Sequence, residues 1–422
     1  MRKLLIKNGL LVDPELGERR GDLLLEGGRI TRLAARLAAP PSAEVFDAAG
    51  LWVFPGLVDA HVHAREPGGG ESETIASAAA AAAAGGVTTI LLMPNTRPPM
   101  ASPALLRKYR RRAAAAPVTV LFSAAATAGR SGARPGRLGA LKAAGASAFT
   151  DDGGALPAAL LPKLISGAAA AGLPLLDHPE DFSVTGPGVC HPRAAARLGL
   201  PAIPDRAEWL AVLRDLLASA QAGPIHLQHL SLAASVAALR LAKAAGWPAT
   251  GETCPHYFAL SERDLRRADP DFKMKPPLRA EADRLAVLRG LADGAIDLVA
   301  SDHAPHAAAA KAAGFRKAPF GVVGLETLAP LCVTELALSG RLGPRRLAQL
   351  LCGNPARLLG LRRKGSLRPG SDADVAVLDP RRERPVPERF FSASANSPFK
   401  GRRLRGWPAL TVARGRIAYR AS

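Results

Sequence analysis

Between residues 53 and 300 the sequence alternates short apolar runs with longer stretches rich in alanine and leucine. The apolar runs fall at 53–58, 87–93, 118–123, 146–150, 173–177, 225–228, 249–252 and 297–300. Runs of this length, separated by helix-length segments, predict buried parallel strands. The segments between them cover 74–84, 103–116, 137–144, 157–171, 206–221, 232–245 and 281–293. Alanine and leucine are strong helix formers, and Gly85, Gly145, Gly172 and Gly246 stand where helix C-caps belong. Eight strands, most followed by a helix, predict a (β/α)8 TIM barrel, whose usual size a stretch of roughly 300 residues matches. A doubly wound open sheet competes, but its G-x-G-x-x-G fingerprint is missing after the first strand.

The two ends of the chain read differently. Apolar runs at 4–6, 23–25, 30–33 and 52–53 are separated by the turn formers Asn8-Gly9, Gly27-Gly28 and Ala49-Gly50. Runs at 373–378, 410–412 and 417–419 repeat the style, with Gly365, Gly370, Gly406 and Gly415 around them. Both ends are therefore expected to meet in a small β-sandwich domain. Residues 1–52 supply its N-terminal part and 359–422 its C-terminal part, and 53–358 form the barrel.

The formal charge is +20, from 56 basic and 36 acidic residues. The basic residues are scattered, as in Arg110-Arg111-Arg112, Arg266-Arg267 and Arg402-Arg403, without the interleaved aromatics of a nucleic-acid surface. Nucleic acid is not the expected partner, and the charge serves to steer small anions. Cys190, Cys254, Cys332 and Cys352 form no C-x-x-C pair, so neither a cysteine zinc site nor a disulfide framework is signalled. The start, Met1 to Ile6, is basic then apolar, but Lys7 and Asn8 interrupt it too early for a signal peptide. No apolar run reaches the length of a membrane span, and a reducing cytoplasm is the expected compartment.

Polar residues begin where the predicted strands end, at the face where a barrel carries its chemistry. His61 and His63 are two apart, so on an extended chain both imidazoles point to one side and can reach one metal ion. Arg65 continues the parity, and a guanidinium there suits a carboxylate. Later strand ends bring Asn95, Asp151-Asp152, His178, His229, His256, Asp302, His303 and His306. Eight of the nine histidines read as lying at or just after these ends and none on a helix, with His191 left to the surface.

Imidazole and carboxylate ligands suit zinc. His61, His63, His178, His229 and Asp302 are the candidate ligands, and Asp151 or Asp152 is the candidate bridge between two ions. Such ions can hold a hydroxide at neutral pH and polarise a carbonyl. Asp302 is placed to take the proton of the attacking water and pass it to a leaving nitrogen. Arg65, Asn95 and His306 are expected to grip a carboxylate, while His256, His303 and Asp59 orient or pack. Residues 304–321 follow the eighth strand in the position of a lid.

The run D-A-H-V-H-A-R-E-P-G from Asp59, with S-D-H-A-P-H from Ser301, resembles the amidohydrolase superfamily. More narrowly, the chain resembles the class I bacterial dihydroorotases over nearly its whole length. The shared motifs include M-P-N-T at 93–96, F-T-D-D-G at 149–153, D-H-P-E-D at 177–181, K-M-K-P-P-L-R at 273–279 and G-L-E-T at 324–327. The resemblance implies reversible closure of carbamoyl-aspartate to dihydroorotate, with loss of water, in pyrimidine synthesis. It implies that His61 and His63 bind one zinc, that His178 and His229 bind a second, and that Asp152 bridges them. Asp302 is then both ligand and general acid/base, and Arg65, Asn95 and His306 hold the substrate carboxylate.

Hydantoinases, dihydropyrimidinases and allantoinases share the strand-1 pattern but bridge with a carboxylated lysine, which Phe149-Thr150-Asp151-Asp152 does not offer. A cyclic amidase of that kind is the first alternative. The family usually has asparagine where this chain has Lys275, which is expected to help hold a dianionic substrate or else to alter substrate choice. Some relatives are non-catalytic partners of aspartate transcarbamoylase and typically lack the metal histidines, whereas all six ligand positions are present here. An active enzyme that docks on the transcarbamoylase stays open, and the resemblance implies a homodimer.

Overall fold

Two four-stranded parallel sheets form the centre of the computed structural model, which describes residues 3–421. Met1 and Arg2, the start of the basic N-terminal run, and Ser422 lie outside the described residues. The first sheet orders Leu57–Val62, Val87–Leu92, Thr119–Ala125 and Ala148–Thr150. The second orders Leu176–Asp177, Ile225–Leu227, Ala249–Thr253 and Leu298–Val299. Single parallel bridges close the ring: Phe149 to Leu175 joins the fourth strand to the fifth, and Val62 to His303 joins the first to the chain beyond the eighth. With helices between the strands, this is the (β/α)8 barrel that the alternation predicts.

The helices fall close to expectation: Ile75–Ala84, Pro103–Ala113, Leu138–Ala143, Leu161–Ala171, Arg206–Ala222, Ala233–Ala244 and Glu281–Asp293. Ile75–Ala84 shows why alanine dominates. Thr74 and Ser77 form a capping box that starts it. Ala78, Ala79, Ala81 and Ala82 are fully buried, so the helix lies close against its neighbours. At its end, a Cβ on Gly85 would stand 2.1 Å from the Leu325 carbonyl oxygen, so only glycine fits.

The barrel strands differ from expectation at their borders. The run 53–58 is split: Trp52–Pro55 belongs to the sheet built from the chain ends, and the barrel starts afresh at Leu57. Gly56 makes the transition, donating its N–H to Asp374 O at 2.7 Å. A Cβ there would lie 2.1 Å from Thr88 Oγ1. The fifth strand shrinks to Leu176–Asp177 because Pro174 offers no N–H to a ladder. Asn8-Gly9, expected as a turn, lies inside the long strand Lys3–Asp13. Asn8 takes φ 62° and the register shifts there, a β-bulge whose freed Asn8 N–H is satisfied by Asp22 Oδ1 at 2.9 Å.

The small β-domain is one continuous hydrogen-bonded sheet. Its order is Arg416–Arg420, Trp407–Ala413, Val375–Asp379, Trp52–Pro55, Lys3–Asp13, Gly17–Glu26 and Arg29–Ala34. Lys3–Asp13 is long enough to pair with Ala43–Asp47 along its first half and Trp52–Pro55 along its second. Ile6, Leu23, Val53, Val377 and Leu410, drawn from both ends of the chain, are fully buried in a core of its own.

Asp13 is the polar join between the two ends. Its Oδ1 accepts the Glu15 and Leu16 N–H groups at 2.8 Å, and its Oδ2 accepts the Leu367 N–H at 2.6 Å and the Ser366 hydroxyl at 2.9 Å. The carboxylate is buried. Asp13→Ala strands these donors and is expected to lower stability by about 3 kcal/mol. Calorimetric melting measures it, and an unchanged transition would mean that apolar packing alone holds the join.

Candidate metal centre

The C-terminal ends of the barrel strands converge on a cavity of about 330 Å³ lined by His63, Arg65, Asn95, Asp152, Lys275 and Asp302, among others. Among the described residues, Cys254, His256 and Asp302 bring ligand atoms within 4.8 Å of one another, and so do two sets that have Asp152 in common as member or neighbour: His61, His63 and Asp302, and Asp152, His178 and His229. Asp152 faces both sets. Its Oδ1 lies 3.3 Å from His61 Nε2 and 3.6 Å from His178 Nδ1, and its Oδ2 lies 3.4 Å from His63 Nε2. Asp302 Oδ1 is 3.4 Å from His61 Nε2 and 3.3 Å from His63 Nε2.

The outer nitrogens of three of these rings are tied down. His61 Nδ1 donates to Glu252 Oε1 at 2.7 Å, His63 Nδ1 to Asn95 Oδ1 at 2.9 Å, and His178 Nε2 to Glu180 Oε2 at 2.8 Å. Each bond turns the other ring nitrogen, with its lone pair, toward the carboxylates. His61 Nε2 is buried without a hydrogen-bond partner. His178 Nδ1 faces His229 Nε2 at 2.7 Å. Lone pairs directed at carboxylates and at one another call for protons or a cation between them, so the residues fit divalent metal ions.

The electrostatics agree. Burial disfavours charge on every member. For Asp152 and Asp302, His61 and the neighbouring imidazoles outweigh burial and hold both carboxyls below the usual range. For His178, burial is outweighed by hydrogen bonds to Asp152 and Glu180, which push it up to about 9. Burial, with repulsion from His178 and His61, takes His229 down to about 3. The carboxylates are thus anions at neutral pH and the four rings compete for the positive charge.

Arg65 and Asn95 both line the cavity, and His306 lies against Arg65. Arg65 Nε donates to Pro305 O at 3.0 Å and its Nη2 stands 3.1 Å from His306 Nε2, which leaves Nη1 for a ligand. Burial lowers Arg65 to about 10 and His306 to about 3, so at neutral pH the arginine is the cation and the histidine is neutral. Lys275 enters the same cavity, with Nζ 3.2 Å from Glu180 Oε1 and 4.6 Å above the Phe182 ring. Arg65, His229 and Asp302 have φ of 54°, 37° and 44°. Left-handed backbone is costly for such residues and clusters at functional sites.

Of the two adjacent aspartates, Asp152 reaches the histidines. Asp151 turns away, accepting the Thr127 N–H and hydroxyl. His303 and Asp59 have supporting positions: His303 Nε2 is 3.1 Å from Glu73 Oε2, and Asp59 Oδ1 accepts the N–H groups of His61 and Ser301 at 3.1 Å. Three histidines depart from expectation. His191 is buried, because it caps the helix Pro192–Leu198. His226 lies inside the sixth strand, between Thr250 Oγ1 at 2.8 Å and Glu252 Oε2 at 3.2 Å. His256 sits on a short helix, Pro255–Ala259, that begins directly after the seventh strand. Glu252 and Glu180, near the ends of the seventh and fifth strands, each orient a histidine, a role that no local spacing marks.

A model of the amidohydrolase family matches residues 52–418. The chain belongs to the amidohydrolase family. This amidohydrolase is 42% identical over 420 residues to a dihydroorotase of Pelotomaculum thermopropionicum, with 98% of each chain covered. It is 43% identical over 424 residues to a dihydroorotase of Anaeromyxobacter dehalogenans strain 2CP-C, covering 99% of this chain and 98% of that one. Among solved structures it is similar to the L-hydantoinase of Arthrobacter aurescens, with TM-score 0.90, 28% identity and coverage of 100% and 96%. The dihydropyrimidinase of Brevibacillus agri follows with TM-score 0.87, 25% identity and coverage of 99% and 95%. The hydantoinase structures share the architecture, and the full-length relatives of higher identity are dihydroorotases.

Proposed function

We propose that this amidohydrolase is a dihydroorotase, closing N-carbamoyl-L-aspartate to L-dihydroorotate and opening the ring in reverse. The observation that carries the reading is Arg65, a half-buried cation with a free guanidinium nitrogen beside two His/Asp sets. A neutral cyclic amide offers such a group no anion, whereas dihydroorotate carries a carboxylate that it can fork. Asp152 between the two sets, with no lysine in Phe149-Thr150-Asp151-Asp152, supports the same choice.

His61, His63 and Asp302 would hold one zinc, and Asp152, His178 and His229 a second. Zinc bound there supplies Lewis acidity, polarising the ring carbonyl and acidifying water. Asp302 takes the proton of the attacking water and delivers it to the ring nitrogen as the C–N bond breaks. In the closing direction it takes the proton from the carbamoyl nitrogen and returns it to the departing water. Arg65 and His306 orient the substrate carboxylate together with Asn95, whose Oδ1 is engaged by His63 and whose Nδ2 is left for the ligand. Lys275 offers a further cation to carbamoyl-aspartate, which bears two carboxylates.

The reaction belongs to de novo pyrimidine (UMP) synthesis and so to the cytoplasm. Among the described residues, no helix is long and apolar enough to cross a membrane. A homodimer is part of the reading, and association with aspartate transcarbamoylase is a separate question for light scattering of the two proteins mixed. The deciding assay offers dihydroorotate beside dihydrouracil, hydantoin and allantoin to the protein purified with its native metal. Turnover of dihydroorotate far above that of the neutral rings is expected. Preference for a neutral ring would instead make the chain a cyclic amidase.

A further inference from the structure

The loop after the eighth strand is held by a pair of buried cations that the proposed reaction does not use, Lys311 from the loop itself and Lys273 from the segment after the seventh strand. Lys311, at the end of the short helix Ala308–Lys311, is 5% exposed, and Lys273 is 2% exposed. Their hydrogen bonds all go to backbone carbonyls. Lys311 Nζ donates to Gly321 O at 2.9 Å, Pro319 O at 3.2 Å and Lys273 O at 3.4 Å. Lys273 Nζ donates to Ala318 O at 2.6 Å and Arg316 O at 3.1 Å, and lies 4.5 Å over the Phe320 ring. Gly321 completes the knot by donating its N–H to Lys273 O at 2.9 Å.

The residues so tied form a wall of the reaction cavity. Pro319, Phe320 and Gly321 line it. Phe320 O stands 2.8 Å from His306 Nε2, which in turn meets Arg65. The wall is packed tightly against that histidine: a Cβ on Gly321 would lie 2.5 Å from Ala304 O and 3.1 Å from His306 Nε2. Burying an ammonium is unfavourable unless its donors are satisfied. Two such groups spent on one short stretch of backbone, with no part in the chemistry, point to a requirement for that stretch to hold its shape.

We propose that Lys311 and Lys273 are positioning residues that clamp the backbone of residues 316–321 and thereby shape the subsite for the substrate carboxylate. This rests on the dihydroorotase reading for the identity of the carboxylate, but not for the clamp itself. Burial draws both ammonium groups down to about 8, so both are still cationic at pH 7 and hold their carbonyls by charge-assisted bonds.

Two readouts on the metal-loaded protein test the clamp. The first is limited trypsin digestion, because Arg316 and Lys317 are exposed cleavage sites inside the clamped stretch. Lys311→Met is expected to speed cleavage there by roughly tenfold or more, with a melting temperature close to that of the parent. The second is steady-state kinetics with dihydroorotate, where KM should rise by about tenfold while kcat stays within about twofold. Lys311→Arg keeps the donors and should restore protection, and Lys273→Met should repeat the effect. Unchanged cleavage and unchanged KM in Lys311→Met would overturn the proposal. So would a fall in kcat with loss of bound zinc, since the lysines would then act on the metal sets. If dihydroorotate is not a substrate at all, the proteolysis result still stands or falls alone.

Discussion

Asp302→Asn is expected to lower dihydroorotate turnover by about 10⁴-fold, the upper range for losing a general acid/base. The substitution keeps the size of the side chain and removes its charge and its proton-accepting oxygen. Asp302 Oδ1 stands 3.4 and 3.3 Å from the free nitrogens of His61 and His63. The surrounding imidazoles overcome burial and hold its carboxyl ionised, so it enters the reaction able to accept a proton. An amide cannot take up that proton, and it meets a protonated ring with a neutral hydrogen bond instead of an ion pair. The protein should fold normally, because the Asp302 side chain lines the cavity and anchors no strand. Elemental analysis should show weaker retention of the ion held by His61 and His63, while the set of Asp152, His178 and His229 keeps its own. A variant with turnover within tenfold of the parent would remove Asp302 from the proton path and shift that role to another group in the cavity.

The parts of this site that were legible in the sequence are those set by local spacing. His61 and His63 share a face because a strand has a period of two, and S-D-H-A-P-H announces itself at a strand end. Parity could not choose between Asp151 and Asp152, because both lie beyond the strand Ala148–Thr150, where alternation no longer applies. The choice is made by Thr127, from the loop after the third strand, which engages Asp151 and leaves Asp152 for the histidines. Glu252 meets His61 across 191 residues of sequence, and Lys311 meets Gly321 only because a loop folds back, and no local pattern encodes either. In the fold, alternation was enough to predict eight strands and their helices, since each must bury an apolar face. Strand borders were not predictable because they depend on single backbone groups, such as the missing N–H of Pro174 or the Asp22 carboxylate that makes a bulge of Asn8-Gly9. The left-handed backbone at His229 and Asp302 leaves no mark in composition, since residues of any type are held there by their surroundings.

Arg65→Met is expected to cost 10²- to 10³-fold in kcat/KM for dihydroorotate while leaving the slow hydrolysis of dihydrouracil unchanged or faster. Truncating one partner of a buried charge pair costs about 2–5 kcal/mol, which brackets that loss. The asymmetry between the two rings is the informative part. Dihydrouracil lacks the carboxylate, so it never gains the interaction that the mutation removes, and it is spared the desolvation of an arginine left unpaired in the cavity. Arg65 shares the cavity with Asp152 and Asp302 but makes no hydrogen bond to either: its partners are Pro305 O and His306. The loss should therefore appear chiefly in KM. Arg65→Lys would restore charge but not the planar fork, and should recover only part of the loss. Equal damage to both substrates would mean that Arg65 supports the metal sets through its neighbours. The choice of an acidic ring over a neutral one would then have to come from Lys275, the other cation that enters the cavity.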